Sequence, residues 1–151
     1  EPLPALDLSA KKVRMFIYLQ NLYSMFNSIG LCVLTGGFFG GPVSLNGIPE
    51  YVNAVTGWDT SLWELLKVGE RHSAMARVFN LREGFSSKDD TLPERIFEPL
   101  EGGALEGKRI DREEFEKALK MYYRMMGWDE NGVPLESKLQ ELELDWLKVR
   151  E

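Results

Sequence analysis

The sequence has little of what a disulfide-bonded or zinc-binding protein needs. It contains one cysteine, Cys32, and one histidine, His72, among its 151 residues. A lone cysteine cannot form an intrachain disulfide, and a structural zinc site needs about four ligands drawn from such groups. The composition therefore excludes a disulfide scaffold and a self-contained zinc site, and it favours a reducing, cytoplasmic location.

Long hydrophobic runs and an excess of positive charge are also missing. Gln20, Asn21 and Ser24 interrupt the most apolar stretch, residues 15–26, whereas a bilayer span needs roughly 18 uncharged apolar residues. Residues 15–19 are too short an apolar run for a secretory signal. Lys and Arg number 18 against 24 Asp and Glu, and the net charge of -6 has the wrong sign for gripping phosphate backbones. We expect neither a membrane span nor a nucleic-acid partner.

The chain does contain enough apolar residues for one domain. Hydrophobic residues make up 44% of it, and glycine and proline are near their average usage. We therefore predict a single helical domain over residues 1–151. The chain starts at Glu1 without an initiator methionine, and we expect it to be processed or excised from something longer.

The first predicted helix spans Ser9 to Ile29, with Ser9 at the N-cap and Gly30 as the C-terminal stop. Its apolar residues cover more than one face, which predicts packing on several sides. Six glycines from Gly30 to Gly47 predict a tightly turning loop, and Cys32 lies at its start. The pair Phe38-Phe39 is expected to pin this loop to the core.

Two further long helices are predicted, over about residues 61–80 and 111–127. Ser-x-x-Glu spacing predicts a capping box at the start of the first, and Asp111 with Glu114 predicts one at the start of the second. One or two short helices over residues 135–147 close the chain. No segment alternates as a strand does, so the predicted fold class is all-α with long irregular connections.

Few residues are placed to carry chemistry by themselves. His72 lies one heptad from Leu65 and from Phe79, on an apolar or boundary face where a hydrogen-bonded structural histidine is expected. Residues 36–41 lack the Gly-Lys-Ser/Thr ending of a phosphate loop. Residues 129–136 indicate a turn rather than a calcium loop, because the glycine comes too early. We name no catalytic residue.

Cys32 has a more unusual setting, since it follows a long apolar helix and opens a glycine-rich loop. A lone cysteine is most often a small buried hydrophobe. An iron–sulfur cubane needs four thiolates, so this chain can supply one at most. The residues alone leave both interpretations open, and any cluster needs cysteines from elsewhere.

Four stretches, in order, resemble the tungsten-dependent aldehyde ferredoxin oxidoreductases. The segment Asn27-Ser28-Ile29-Gly30-Leu31-Cys32 is similar to the Asp-x-x-Gly-Leu-Cys motif of that family. The other three stretches are Thr56–Asp59 with Glu64–Leu66 and Gly69–Arg71, then Phe79–Phe85 with Lys88–Pro93, and finally Tyr122–Tyr123 with Gly127–Gly132. Together they cover most of the chain.

The resemblance implies that this is the helical C-terminal part of a larger enzyme. In that family two pterin dithiolenes hold tungsten, a neighbouring [4Fe-4S] cluster passes electrons to ferredoxin, and an aldehyde becomes a carboxylic acid. By position, Cys32 is the fourth cluster ligand, and Asn27, Gly30 and Leu31 belong to the tungstopterin site. The amide of Asn27 replaces the family's carboxylate and changes the hydrogen bonds offered to a pterin.

The resemblance also implies partners: ferredoxin, an aldehyde substrate and the N-terminal domains of the same enzyme. Those domains would supply the other three cysteines and most of the tungstopterin contacts, so this chain alone is expected to hold no cofactor and to be inactive. The metal at the pterin site would be tungsten or molybdenum, and the resemblance is compatible with a homo-oligomer. Two alternatives stay open, namely a related aryl-CoA reductase subunit and a self-standing helical interaction module.

Overall fold

The computed structural model describes residues 3–35, 41 and 43–149, and these ranges are helical with long connections. Their α-helices are α1 (Ala10–Ile29), α2 (Ile48–Thr56), α3 (Leu62–Arg82), α4 (Arg112–Met126) and α5 (Glu136–Glu141). Short 3-10 turns lie at Val33–Thr35, Leu45–Gly47 and Glu94–Ile96. The all-α prediction is confirmed. Phe38-Phe39, predicted to pin the glycine-rich loop, lies outside the described residues.

The ends of α1 follow the sequence closely. Ser9 occupies the N-cap position, but its hydroxyl donates to Asp7 at 2.9 Å instead of capping the helix. At the other end Gly30 has a φ of 71°, and its N–H donates to the carbonyl of Asn27. The predicted start and stop of α1 are therefore right, although the capping interaction of Ser9 is absent.

The capping box predicted for α3 is present. The Ser61 hydroxyl accepts from the N–H of Glu64 at 3.3 Å, and the Glu64 carboxylate accepts from the N–H of Ser61 at 2.7 Å. These hydrogen bonds lower the pKa of Glu64. At α4 only half of the predicted box forms. Asp111 accepts from the N–H of Glu114, whose own carboxylate pairs with Lys117 one turn further on.

Helix α2 was not predicted from the sequence, which showed only a short apolar segment there. Pro49 lies in its first turn, where the missing N–H costs nothing. Gly57 ends it with a φ of 75°. A helix this short shows little hydrophobic periodicity, so Pro49 and Gly57 at its two ends were the sequence features that could have indicated it.

The backbones of α1 and α3 approach each other closely. A Cβ added at Gly69 of α3 would lie 2.0 Å from the carbonyl oxygen of Asn21 in α1. Nearby, the buried hydroxyls of Ser24 and Ser73 lie 3.4 Å apart. Small residues on both helices therefore let the two backbones touch.

Among the described residues, three hydrophobic clusters form the core. The first joins α1 to α4 and contains Val13, Ile17, Ala118, Tyr123, Met126 and Trp128. The second joins α3 to the closing segment and contains Ala74, Val78, Leu139, Leu142, Leu144 and Leu147. The third, called here the Leu65 cluster, contains Leu22, Met25, Phe26, Ile48 and Leu65. α1 contributes to two of the three clusters, as expected for a central helix.

The apolar surface of α1 is larger than its neighbours cover. Val13 and Ile17 are buried, but Phe16 is 56% exposed and Tyr18 is 64% exposed. α1 therefore packs on several sides, as predicted, but these two aromatic residues stay exposed. In the described ranges, no helix combines the length and apolarity that a bilayer crossing requires.

Candidate functional site

Asn27, Gly30, Leu31 and Cys32 meet in the turn that ends α1, and we call residues 27–35 the Cys32 turn. The N–H of Leu31 donates to the carbonyl of Phe26 at 3.1 Å, while Gly30 takes the left-handed conformation. This is a Schellman motif, which fixes the direction of the chain after the helix. The Leu31 side chain packs against the Leu65 cluster. The turn is thus anchored by both its backbone and one apolar side chain.

Cys32 is exposed and its thiol is free. Its carbonyl accepts two hydrogen bonds from Thr35, one from the N–H at 3.0 Å and one from the hydroxyl at 2.6 Å. The backbone is therefore held while the side chain faces outward. Of the two interpretations of this cysteine, the buried hydrophobe does not fit the structure.

The chain offers Cys32 as a single donor. Within residues 3–35, 41 and 43–149, no three His, Cys, Asp or Glu side chains are grouped so that they could hold a metal ion. A free thiol on a fixed backbone fits the role of one ligand to a group whose other ligands come from elsewhere. Asn27 is exposed on the same turn, so its amide is also accessible.

His72 lies beside the end of α1. Its Nδ1 is 3.4 Å from the hydroxyl of Ser28, which itself donates to the carbonyl of Ser24 at 2.8 Å. The ring is more exposed than the heptad position suggested. The hydrogen bond predicted for His72 is therefore present, but the side chain is exposed to solvent.

A cavity of about 650 Å³ opens between α1, α3 and α4. Its lining includes Val13, Phe16, Ser24, His72, Tyr122 and Trp128. Tyr122 donates its hydroxyl to Gln20 at 2.8 Å, and burial raises the pKa of the Tyr122 phenol. The Trp128 indole N–H, in contrast, is buried without a hydrogen-bond partner among the described residues.

One wall of the cavity contains a buried arginine that the sequence did not single out. Arg77 is 7% exposed and makes two contacts with Asp90, at 2.9 and 2.7 Å. Its Nε donates to the carbonyl of Gly132 at 2.7 Å. The guanidinium also lies 5.4 Å from the ring centroid of Trp128. These residues, with Tyr123, are called here the Arg77 cluster.

Tyr123 and Gly132 complete the Arg77 cluster. The Tyr123 hydroxyl donates to Asp90. Burial first, and then the hydrogen bond and negative charge of Asp90, raise the pKa of the Tyr123 phenol, so it stays protonated. A Cβ at Gly132 would lie 2.3 Å from the Arg77 guanidinium. The charges of Arg77 and Asp90 and the Tyr123 hydroxyl are therefore paired within the chain, which indicates a structural role for this cluster.

The buried arginine of α3 is not Arg82, which lies beside Glu83 in the Phe79–Phe85 stretch. Both residues are exposed, and Arg82 donates to the carbonyl of Lys148 at 2.7 Å. In the sequence, the position of Arg77 between Ala74 and Val78, on the buried stripe of α3, could have indicated this site. A charge inside an apolar stripe requires a buried partner.

The chain matches a family model. Residues 1–144 match the model described as "Aldehyde ferredoxin oxidoreductase, domains 2 & 3". The match includes the Cys32 turn and the Arg77 cluster.

Curated relatives agree with this match. The chain is 38% identical over 141 residues to the tungsten-containing aldehyde ferredoxin oxidoreductase of Pyrococcus abyssi, covering 92% of this chain and 22% of the relative. It is 36% identical over 101 residues to the "Aliphatic sulfonate oxidoreductase, WOR-like subunit" of Pyrococcus furiosus, covering 63% of this chain and 16% of the relative. The chain therefore spans about a fifth of the length of these relatives.

A solved structure shows the same fold. It is described as the "Active site complex BamBC of Benzoyl Coenzyme A reductase in complex with 1,5 Dienoyl-CoA". The TM-score is 0.73 at 20% identity, over 97% of this chain and 22% of that chain. With the family model and the curated relatives in agreement, the chain belongs to the aldehyde ferredoxin oxidoreductase family.

Proposed function

We propose that this chain is the C-terminal helical part of a tungsten- or molybdenum-dependent enzyme that oxidises aldehydes. An aldehyde and water would give a carboxylic acid, two protons and two electrons, with ferredoxin as the electron acceptor. When bound, the tungstopterin and a [4Fe-4S] cluster would supply the oxidation and the electron relay. The observation that carries the proposal is the exposed Cys32 thiol on a fixed turn within the motif shared with the family.

The role of Cys32 is to donate one thiolate to the cluster. The hydrogen bonds from Thr35 hold its carbonyl, and Gly30 directs the backbone, so little ordering is left to occur when the thiolate binds. Three further thiolates would come from the rest of the enzyme. The loss of the thiol proton makes this step dependent on pH.

Asn27, Gly30 and Leu31 would contact a pterin. Gly30 has no side chain to keep a planar ring away, and Leu31 is tied to the Leu65 cluster, so the backbone between them is rigid. The exposed amide of Asn27 offers one acceptor and one donor group to the ring edge. An aspartate there would accept two hydrogen bonds instead.

Aldehyde oxidation is favoured over the other reactions named for related proteins. The relatives matched over 92% and 90% of this chain are aldehyde ferredoxin oxidoreductases. The sulfonate enzyme matches over 63% of the chain. The benzoyl-CoA reductase supports the fold alone, because its identity is 20%.

The first test is elemental analysis of the anaerobically purified full-length product of the gene that encodes this chain. We expect about four irons and one tungsten or molybdenum per chain. Cys32→Ser should lower the iron content, whereas Asn46→Ser, an exposed change in the same connection, should leave it unchanged. A full-length product without metal, or a Cys32→Ser variant with full iron content, would refute the proposal.

Asn27→Asp tests the pterin contact. We expect the variant enzyme to retain tungsten at least as well as the parent, because a carboxylate accepts two hydrogen bonds from pterin N–H groups. Tungsten content after dialysis is the measurement. Weaker retention would remove Asn27 from the cofactor site.

A further inference from the structure

A second cavity lies on another side of α1, and it is largely apolar. Its volume is about 580 Å³, and α1 and α3 supply most of its lining. Trp63 is 69% exposed and Tyr18 is 64% exposed along this cavity, and Met125 at its edge is 43% exposed. Large apolar side chains on an open groove indicate a surface that another protein surface covers. We call this cavity the Trp63 groove.

The charges at the edge of the Trp63 groove are already paired. Lys67 contacts Glu70 at 2.7 Å and also pairs with Glu141 of α5. The Lys67 ammonium lies 5.6 Å from the centroid of the Trp63 ring. The Asn21 carboxamide oxygen also lines the groove and is buried without a hydrogen-bond partner among the described residues. Apart from this one acceptor, recognition at the groove would depend on apolar contact, which is typical of permanent interfaces.

The Trp63 groove is continuous with the Cys32 turn. Leu22 lines the groove and belongs to the Leu65 cluster, and Leu62 and Leu66 line the groove while packing on that cluster. Leu31 of the Cys32 turn packs on the same cluster. One hydrophobic cluster thus connects the groove to the cysteine. The larger cavity near the Arg77 cluster lacks this connection, since its lining includes no member of the Leu65 cluster.

We propose that the Trp63 groove is the docking surface for the part of the enzyme that supplies the other three cluster cysteines. This inference rests on the proposed function. The chain spans 22% of its Pyrococcus abyssi relative, so an enzyme of that size has a large remaining part available for docking. A second copy of this chain carries only the same single cysteine, so it cannot complete a four-thiolate cluster at Cys32.

The geometry gives the docking a physical role. A body that presents cysteines to Cys32 must lie against the Cys32 turn, and the Leu65 cluster extends from that turn to the groove floor. Covering Trp63 and Tyr18 would remove two large aromatic surfaces from water. The apolar contact would then hold the two halves of the cluster site in register without using a charge.

Hydroxyl-radical footprinting of the full-length holoenzyme tests the proposal. The rate of side-chain oxidation at Trp63 and Tyr18 is compared with the rate at the same residues in urea-denatured enzyme. We expect at least roughly tenfold protection of both residues, as in the water-excluded centre of an interface. Reaction of Trp63 at its denatured-state rate would overturn the proposal.

Two further readouts identify what covers the groove. Zero-length cross-linking of the holoenzyme should join Lys67 or Glu70 to the cysteine-bearing part of the same polypeptide. Protection of Trp63 that disappears when the enzyme is diluted to monomers would assign the groove to a second copy and overturn the proposal. The docking test does not depend on metal content: a protected Trp63 in a metal-free product would refute the proposed function while leaving the groove covered.

Discussion

The Arg77 cluster and the Cys32 turn differ in how far the chain satisfies its own groups. In the Arg77 cluster a buried guanidinium has a carboxylate, a carbonyl and two aromatic rings as neighbours, all from this chain. In the Cys32 turn the backbone is hydrogen-bonded, but the thiol and the Asn27 amide are exposed. The buried charge is thus satisfied within the chain, whereas the thiol and the amide are accessible to water and to a binding partner.

Separating α1 from α3 should disturb both regions at once. Gly69→Ala places a methyl group 2.0 Å from the carbonyl oxygen of Asn21, and a backbone atom cannot move aside as a side chain can. We expect a loss of about 3 kcal/mol in the free energy of unfolding by urea, at the upper end of the overpacking costs.

Gly47→Ala is the matched control for Gly69→Ala. Gly47 has a φ of -82°, and an added Cβ there meets only the Ser44 hydroxyl, at 3.3 Å. We expect a change within about 0.5 kcal/mol. Equal effects of the two substitutions would show that the helices do not touch at Gly69.

Asp90→Asn should weaken the Arg77 cluster alone. The substitution leaves the buried Arg77 charge without its counter-ion, and Asp90 is partly exposed, so water offsets some of the cost. We expect about 2 kcal/mol of destabilisation. Glu94→Gln makes the same change in the exposed pair with Arg112 and should cost under about 0.5 kcal/mol. Similar losses in both variants would contradict the buried pairing.

The network of charges between α3 and α5 predicts a smaller, pH-dependent effect. Burial alone would raise the pKa of Glu141, but hydrogen bonds from Lys138 and Lys67 outweigh it and lower the pKa below its ordinary value of 4.5. The stabilisation is therefore present above pH 4.5 and is lost as the pH falls through the folded-state pKa.

Glu141→Gln isolates this contribution. The variant should lose less stability than the parent on acidification below pH 4.5, by under about 1 kcal/mol because the Glu141 side chain is partly exposed. Urea unfolding as a function of pH is the measurement. If the free energy of unfolding fell equally in both proteins below pH 4.5, the charge of Glu141 would contribute nothing to stability.

Cys32→Ser should have the smallest effect on folding. Because the thiol is exposed, we expect the free energy of unfolding to change by less than about 0.5 kcal/mol. A loss above 1 kcal/mol would mean that Cys32 is packed and would return it to a structural role. Unchanged stability together with a lower iron content in the full-length enzyme would show that Cys32 acts in cluster binding and not in folding.

Local signals predicted the long helices, and non-local contacts account for most of what the sequence did not show. Gly30 and the Ser61-Glu64 box mark helix ends because their interactions lie within a few residues. Arg77 contacts Gly132, 55 residues away, and no local pattern links those positions. The exposure of Phe16 could not be predicted, because periodicity shows that a helix face is apolar and does not show what covers it.

The candidate site was predicted in a similar way. The position of Cys32 after the helix stop came from the chain itself, whereas its role as a cluster ligand came from family resemblance and stays a prediction. The Trp63 groove could not be predicted, because it depends on how α1 and α3 lie against each other. Trp63 follows the cap of α3 by two positions, and nothing in that spacing marks it as exposed.

The contacts of Arg77 also have a consequence for protein synthesis. As the ribosome releases the chain, α3 emerges long before residues 131–132, whose carbonyl groups the guanidinium needs. Until that turn has been synthesised, Arg77 lacks these carbonyl partners and remains hydrated, so the packing around α3 is incomplete. A premature stop codon shortly before Asn131 would therefore give a chain that contains all of α3 but lacks the carbonyl groups that Arg77 contacts, and α3 would be destabilised.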